Sequence, residues 1–231
     1  MHVVVIGCGL AGVSTAYFLH RAGARVTVLD RAPAAGRETS YANGAMLTPS
    51  LADPWNAPGV FGQLARSLGR DDAPMLLHLA ELPRLAGWGI RFLANARRKR
   101  FESSYLHNVA LARYSLAQLA GIRSHTGIEF EFSEGGIIKV FEDPAALEAA
   151  VQVGHWLKQA GITHRELDVP GLVALQPMLA ESADRLVGAV HYPDDQVGNA
   201  RLYCESLARW LAGEGVAMRF SEQVLGFERT F

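Results

Sequence analysis

Three glycines and one acid carry the most specific chemistry in the chain. Gly7, Gly9 and Gly12 stand in the order GxGxxG, with Cys8, Leu10 and Ala11 between them, and Asp30 follows eighteen positions after Gly12. Such a turn suits a pyrophosphate. Gly7 permits a tight turn, Gly9 has no Cβ and lets the main chain close on an anion, and Gly12 lets a helix lie close on the strands behind it. Unpaired N–H groups at the start of that helix, with its dipole, attract phosphate oxygens. A carboxylate at position 30 accepts hydrogen bonds from ribose hydroxyls and repels a 2′-phosphate, which disfavours NADP. These residues point to a dinucleotide but do not choose between FAD and NAD. The plain alternative is an ordinary α/β turn with Asp30 as a solvated loop acid.

The elements around them have the matching order. Val3 to Ile6 is a short β-branched strand, Leu10 to Ala22 a helix stopped by Gly23, and Val26 to Leu29 a second strand closed by Asp30. Ala16 keeps the helix face toward the strands small. Arg31 to Gly36 reads as a loop, Thr39 or Ser40 as the cap of a short helix, and Asn43-Gly44 as a turn. Leu47 to Val60 has an ordered-loop composition, with Trp55 as its large anchor. Phe61 to Lys99 reads as helix in pieces, broken near Pro74 and Pro83. The run Arg97-Arg98-Lys99-Arg100 is read as a solvated helix end, with contact to anionic lipid as the sharper reading.

Ser103 to His125 is an amphipathic helix with Tyr105, Val109, Ala112, Leu116 and Leu119 in one stripe. Glu129 to Phe132 alternates as a strand, Gly135-Gly136 turns, and Ile137 to Phe141 returns, which predicts a hairpin. Asp143-Pro144 begins a helix ending at Gly161. Ile162 to Leu167 and Leu186 to Tyr192 read as strands flanking the short helix and turns of 169–179. Asn199 caps a helix to Ala212, and Val216 to Phe220 and Val224 to Glu228 read as further strands.

Composition narrows the class. The chain has 231 residues, 49% hydrophobic, with 22 basic and 23 acidic side chains. That is enough apolar material for a sizeable core, and the charge balance gives no signal for nucleic acid. Two cysteines, Cys8 and Cys204, exclude a disulfide scaffold and favour a reducing compartment. No run reaches the roughly 18 apolar residues of a membrane span. The expectation is a cytoplasmic protein, with peripheral attachment to the inner membrane left open. The eight histidines show no metal-ligand spacing, so no metal is expected. Tyr192 and Asp195 are read as turn residues, with facing a cofactor as the sharper alternative, and no residue is assigned as catalytic.

The opening Val-Ile-Gly-Cys-Gly-Leu-Ala-Gly, Glu38-Thr39-Ser40 with Ala42-Asn43, and Pro54-Trp55 followed by Ala57-Pro58-Gly59-Val60 carry a likeness. With the Gly135-Gly136 turn, Pro193-x-Asp195 and Val224, the chain resembles the D-amino-acid dehydrogenase family (the bacterial small subunit). That family lies in the glycine oxidase and sarcosine oxidase superfamily of flavoproteins. The resemblance implies a Rossmann-like FAD-binding βαβ sheet with an inserted α+β substrate domain containing antiparallel strands. It divides the chain into an FAD-binding core with a flavin-contacting loop at 1–60, a helical segment and partial substrate domain at 61–197, and a return to the FAD domain at 198–231.

By the same resemblance the cofactor is FAD. Val5, Ile6, Gly7, Cys8, Gly9, Leu10, Ala11 and Gly12 bind its diphosphate side, and Asp30 and Arg31 its adenosine. Thr39, Ser40, Asn43 and Gly44 line the ribityl and ring side, and the Val224 backbone meets the adenine. The implied reaction takes a hydride from a D-amino acid to flavin N5, giving a 2-oxo acid and ammonia after hydrolysis. The implied acceptor is a quinone or another respiratory-chain component. The family commonly has glycine then glutamine where this chain has Ala45-Met46. Its members continue for almost as much chain again. The C-terminal part of the family fold, with the group gripping the substrate carboxylate, is therefore expected to be missing here, and the fragment is expected to be incomplete or inactive. An NAD-dependent dehydrogenase and a non-catalytic nucleotide-binding remnant are the other readings.

Overall fold

The computed structural model describes residues 1–67 and 82–228, so the expected break at Pro74, His78 and the last three residues lie outside the described residues. The chain divides into two compact units. One contains residues 1–47, 115–138 and 193–231, the other residues 48–114 and 139–192.

In the first unit, β1 (His2–Ile6) leads through the glycine turn into α1 (Leu10–Arg21), and β2 (Arg25–Asp30) returns parallel to β1. Register runs from His2 opposite Arg25 to Ile6 opposite Leu29. The third strand of this sheet is β8 (Ala217–Phe220), parallel to β2, with Thr27 opposite Ala217. It is reached through α7 (Ala200–Gly213). α1 and α7 pack on each other and cover one face of the strands through Val13, Ala16, Tyr17, Cys204, Leu207 and Leu211, all buried against Val26 and Val28, while Val4 and Ile6 on the other face of β1 are exposed. Asn199 caps α7 as expected, accepting from the Leu202 amide at 3.1 Å. A small antiparallel pair joins β3 (Met46–Leu47) to β7 (Gln196–Val197).

In the second unit, β4 (Ile137–Phe141, begun in the first) lies beside β6 (Gly188–Tyr192), and β6 pairs antiparallel with β5 (Arg165–Leu167). Helices α2 (Val60–Ser67), α3 (Leu82–Asn95), the first half of α4 (Arg98–Thr126), α5 (Pro144–Gln159) and α6 (Val169–Leu175) complete it. Phe101, Tyr105, Val109, Leu157, Ile162, Val190 and Tyr192 form its core. The Asp143 cap of α5 is present, its carboxylate accepting from Ala145 N at 3.1 Å. The stripe predicted for α4 is also present, with Tyr105 and Val109 buried in this unit.

Four expectations are corrected. Residues 129–132 are not a strand, so there is no hairpin with β4. Glu131 adopts φ 54, which breaks an extended run, and the Phe130 carbonyl accepts from Asn199 N at 2.8 Å instead of joining a ladder. Only Ser133 makes a bridge, to Val197. The alternation was real in burial, with Phe130 covered and its neighbours exposed, but burial alternation alone does not provide a partner strand. Residues 224–228 likewise run without strand structure. Trp55 is no anchor, being 85% exposed, and Pro49, Ser50 and Val60 are the buried residues of that stretch. No helix follows Thr39 and Ser40, because the Ser40 hydroxyl is used elsewhere.

Candidate nucleotide-binding site

The glycine turn is held from four directions. Gly7 has φ 98, a conformation that suits glycine, and its N–H donates to Leu29 O at 2.8 Å. The Cys8 carbonyl accepts from Gly36 N at 2.9 Å, and the Cys8 amide donates to Asp30 Oδ2 at 2.6 Å. A Cβ on Gly12 would stand 1.8 Å from the Gly7 carbonyl oxygen, so α1 starts with its backbone against the turn itself. A Cβ on Gly9 would stand 3.0 Å from the Ser40 hydroxyl. The close approach inferred at Gly12 is therefore made to backbone, and the one at Gly9 to a side chain thirty-one residues away.

Ser40 is the cap that α1 lacks locally. Gly9 occupies the N-cap position and offers no side chain, while Ser40 Oγ accepts from the Leu10 amide at 3.1 Å. The amides of Ala11 and Gly12, in the first turn, have no acceptor within the helix by its geometry. That turn carries no acidic residue to compete for them. The positive end of the helix is thus kept for an anion.

Asp30 stands at the end of β2, half-buried. Its Oδ2 accepts from Cys8 N and its Oδ1 from Ala32 N at 2.8 Å. Each oxygen keeps a second lone pair, so the carboxylate can fix the turn and also accept from a ribose hydroxyl. Main chain from beyond β8 arrives beside it: Glu222 N donates to Asp30 O at 3.0 Å, and Ser221 N to Ala32 O at 2.9 Å. Val224 follows two residues later, half-buried.

The remaining sequence-derived residues fall around this centre with other partners. Val5 is buried beneath the turn, while Ile6, Leu10 and Ala11 are exposed. Arg31 pairs with Glu38 at 2.8 Å on the surface. Thr39 is exposed. Asn43 closes its own turn by accepting from Ala45 N at 2.9 Å, and Gly44 is exposed beside it. Ala45 sits at φ 53, where glycine would rest without strain. Cys8 and Cys204 are fully buried. Burial above all pushes their thiols up, to about 12 and about 11, so both stay protonated and neither is a nucleophile.

Two contributors were missed. Cys204 on α7 is fully buried against the loop that carries Gly36 toward Ser40. Gly36, at φ 69, lets the loop pass α7, where a Cβ would meet the Cys204 Cβ at 3.0 Å. A glycine closing a loop is the one trace that Gly36 left in the sequence.

The donor set therefore fits a dinucleotide diphosphate: a glycine turn pressed on the helix start, first-turn amides without acceptors, and a carboxylate beside them. The chain matches the family model described as FAD dependent oxidoreductase over residues 2–230 and belongs to that family. The fold is the mixed α/β FAD-binding fold of the family, and FAD is the cofactor. Among curated relatives, D-amino acid dehydrogenase of Paramagnetospirillum magneticum is 37% identical over 96% of this chain and 53% of its own length. D-amino acid dehydrogenase of Dechloromonas aromatica is 34% identical over 95% and 53%. The chain spans about half the length of the curated relatives it matches. Among solved structures, glycine oxidase from Bacillus cereus superposes with a TM-score of 0.63 at 20% identity, covering 99% of this chain and 48% of that one.

Proposed function

We propose that this chain forms part of an enzyme that oxidises D-amino acids to 2-oxo acids and ammonia. The observation that carries the reading is the anion-ready start of α1 with Asp30 fixed at its side. The name shared by relatives at 34 to 37% identity supplies the substrate class. In this reading the first unit is the FAD-binding domain. Gly7 to Gly12 receive the diphosphate, with Val5 and Ile6 flanking it, and Asp30, with Arg31 beside it, accepts from the adenosine ribose. Ser40, Thr39, Asn43 and Gly44 face the ribityl and ring side, and the Val224 backbone faces the adenine. When bound, FAD accepts the hydride that leaves the substrate Cα, and water hydrolyses the resulting imine. A neutral substrate amine suffices to expel the hydride, so no protein base is assigned. We infer a quinone or another respiratory-chain component as electron acceptor, which favours a place at a membrane surface.

The test is a flavin titration followed by turnover of D-alanine with an artificial dye. The wild-type chain should bind FAD. Asp30→Ala removes a hydrogen bond to a charged group, worth ~1.5–3 kcal/mol, and should weaken FAD about tenfold to a hundredfold. Asp30→Asn keeps an acceptor for the Cys8 amide but sets a donor against the Ala32 amide, and circular dichroism of both variants separates loss of the sugar contact from collapse of the turn. Unchanged affinity in both variants removes Asp30 from the site.

A further inference from the structure

Four side chains of the first unit join the loop after β2 to the start of α7. Glu205, in the second turn of α7, is half-buried, and its Oε1 pairs with two guanidiniums. Arg201 reaches it at 3.3 Å from one turn earlier on the same helix, and Arg37 at 3.5 Å from the loop. The same two guanidiniums lie over the Tyr41 ring, their central carbons 5.8 Å (Arg37) and 5.5 Å (Arg201) from its centroid. The loop is fixed on either side of Arg37. Gly36 N donates to Cys8 O at 2.9 Å, and the Gly36 backbone packs on Arg201 and Cys204 of α7. Ser40, next to Tyr41, accepts from the Leu10 amide at the start of α1.

Ion pairs at this exposure are worth little singly. Here, however, one carboxylate serves two cations that would otherwise repel each other beside a single ring, so its charge decides whether both can stay. Each guanidinium also gains from the face of the tyrosine. We propose that Glu205 is a positioning residue for flavin binding. Its charge keeps Arg37 and Arg201 on Tyr41, and Tyr41 so held seats Ser40 on the first amide of α1. Glu205 thus acts through Ser40 and not as a ligand of the cofactor. The proposal rests on the preceding reading in one respect, that Ser40 and the start of α1 serve FAD.

The experiment compares the 231-residue chain with Glu205→Gln, Arg37→Gln and the double variant, by amide hydrogen exchange without flavin and by FAD titration. Glu205→Gln keeps the side-chain shape and removes only the charge. It should speed exchange at Leu10 but not at Val13, whose amide donates to Gly9 O within α1. It should also weaken FAD, each effect being about twofold to thirtyfold. Arg37→Gln should do less, because Arg201 and Glu205 stay paired. Adding Arg37→Gln to Glu205→Gln should restore part of both effects by removing the repulsion, which lost packing alone would not do. Unchanged Leu10 exchange in Glu205→Gln, equal acceleration at Leu10 and Val13, or a double variant no better than Glu205→Gln overturns the proposal and leaves the oxidation reading standing. Faster Leu10 exchange with unchanged FAD affinity overturns it as well, because the Ser40 loop then does not serve the flavin. A wild-type chain that binds no FAD overturns the reading itself and the proposal with it.

Discussion

Residues 1–30 and residues 127–136 look equally regular in the sequence, yet only the first became what its pattern suggested. In the first, the two strands pair by way of a short helical crossover, and the turn is closed by Leu29 and Asp30 of the same thirty residues, with Gly36 and Ser40 added from just beyond. In the second, apolar and polar residues alternate as strictly, but Glu131 turns to φ 54 and the backbone bonds go to the start of α7. A local pattern fixes which side chains face inward. It does not supply hydrogen-bond partners, and those partners decide whether an extended run becomes a strand.

Gly12→Ala should break the first region outright. The new Cβ would stand 1.8 Å from the Gly7 carbonyl oxygen, and neither atom can move without opening the turn. A loss of ~3 kcal/mol or more is expected, together with loss of FAD binding, measured by chemical denaturation and flavin titration. A small loss would mean that α1 can slide on β1, and the contrast with the second region would weaken.

Asn199→Ala probes the second region. Asn199 caps α7 and also donates to Glu131 Oε2 at 2.8 Å. Losing the cap and that contact should cost ~1–2 kcal/mol in the denaturation midpoint. An effect below half of that would show that the main-chain bond from Asn199 N to Phe130 O, which the substitution leaves in place, holds this region without the side chain.

Ala45→Gly should give the smallest change and the opposite sign. Relief of a left-handed alanine is worth ~1–2 kcal/mol, offset by ~0.5–1 kcal/mol of added chain entropy. A gain of about half a kcal/mol is the expected result by the same measurement. A loss would mean that the Ala45 methyl has a packing role on the strand side of its turn.

Legibility followed the range of the interactions. Asp143 and Asn199 were readable as caps because each accepts from an amide two or three residues away. The glycine turn and Asp30 were readable because the crossover is short. Ser40 was read as a cap but assigned to the wrong helix: it serves the amide of Leu10, thirty residues earlier, and no spacing rule connects them. The β2–β8 pairing was equally hidden, as nothing in Ala217–Phe220 names Thr27–Asp30 as neighbour. Trp55 was misjudged because size alone suggested burial, whereas its loop places it outward beside α3.

The parallel ladder between Thr27–Asp30 and Ala217–Phe220 also bears on how the protein is made. During synthesis the glycine turn is made before all of the second unit, while the strand that flanks it and the helix that roofs it are made after that unit. A nascent chain must therefore keep Val26, Val28 and the apolar face of α1 from sticking elsewhere until α7 arrives. Such distant pairings slow folding and lengthen exposure to aggregation, so slower translation should not rescue yield, whereas a holding chaperone should.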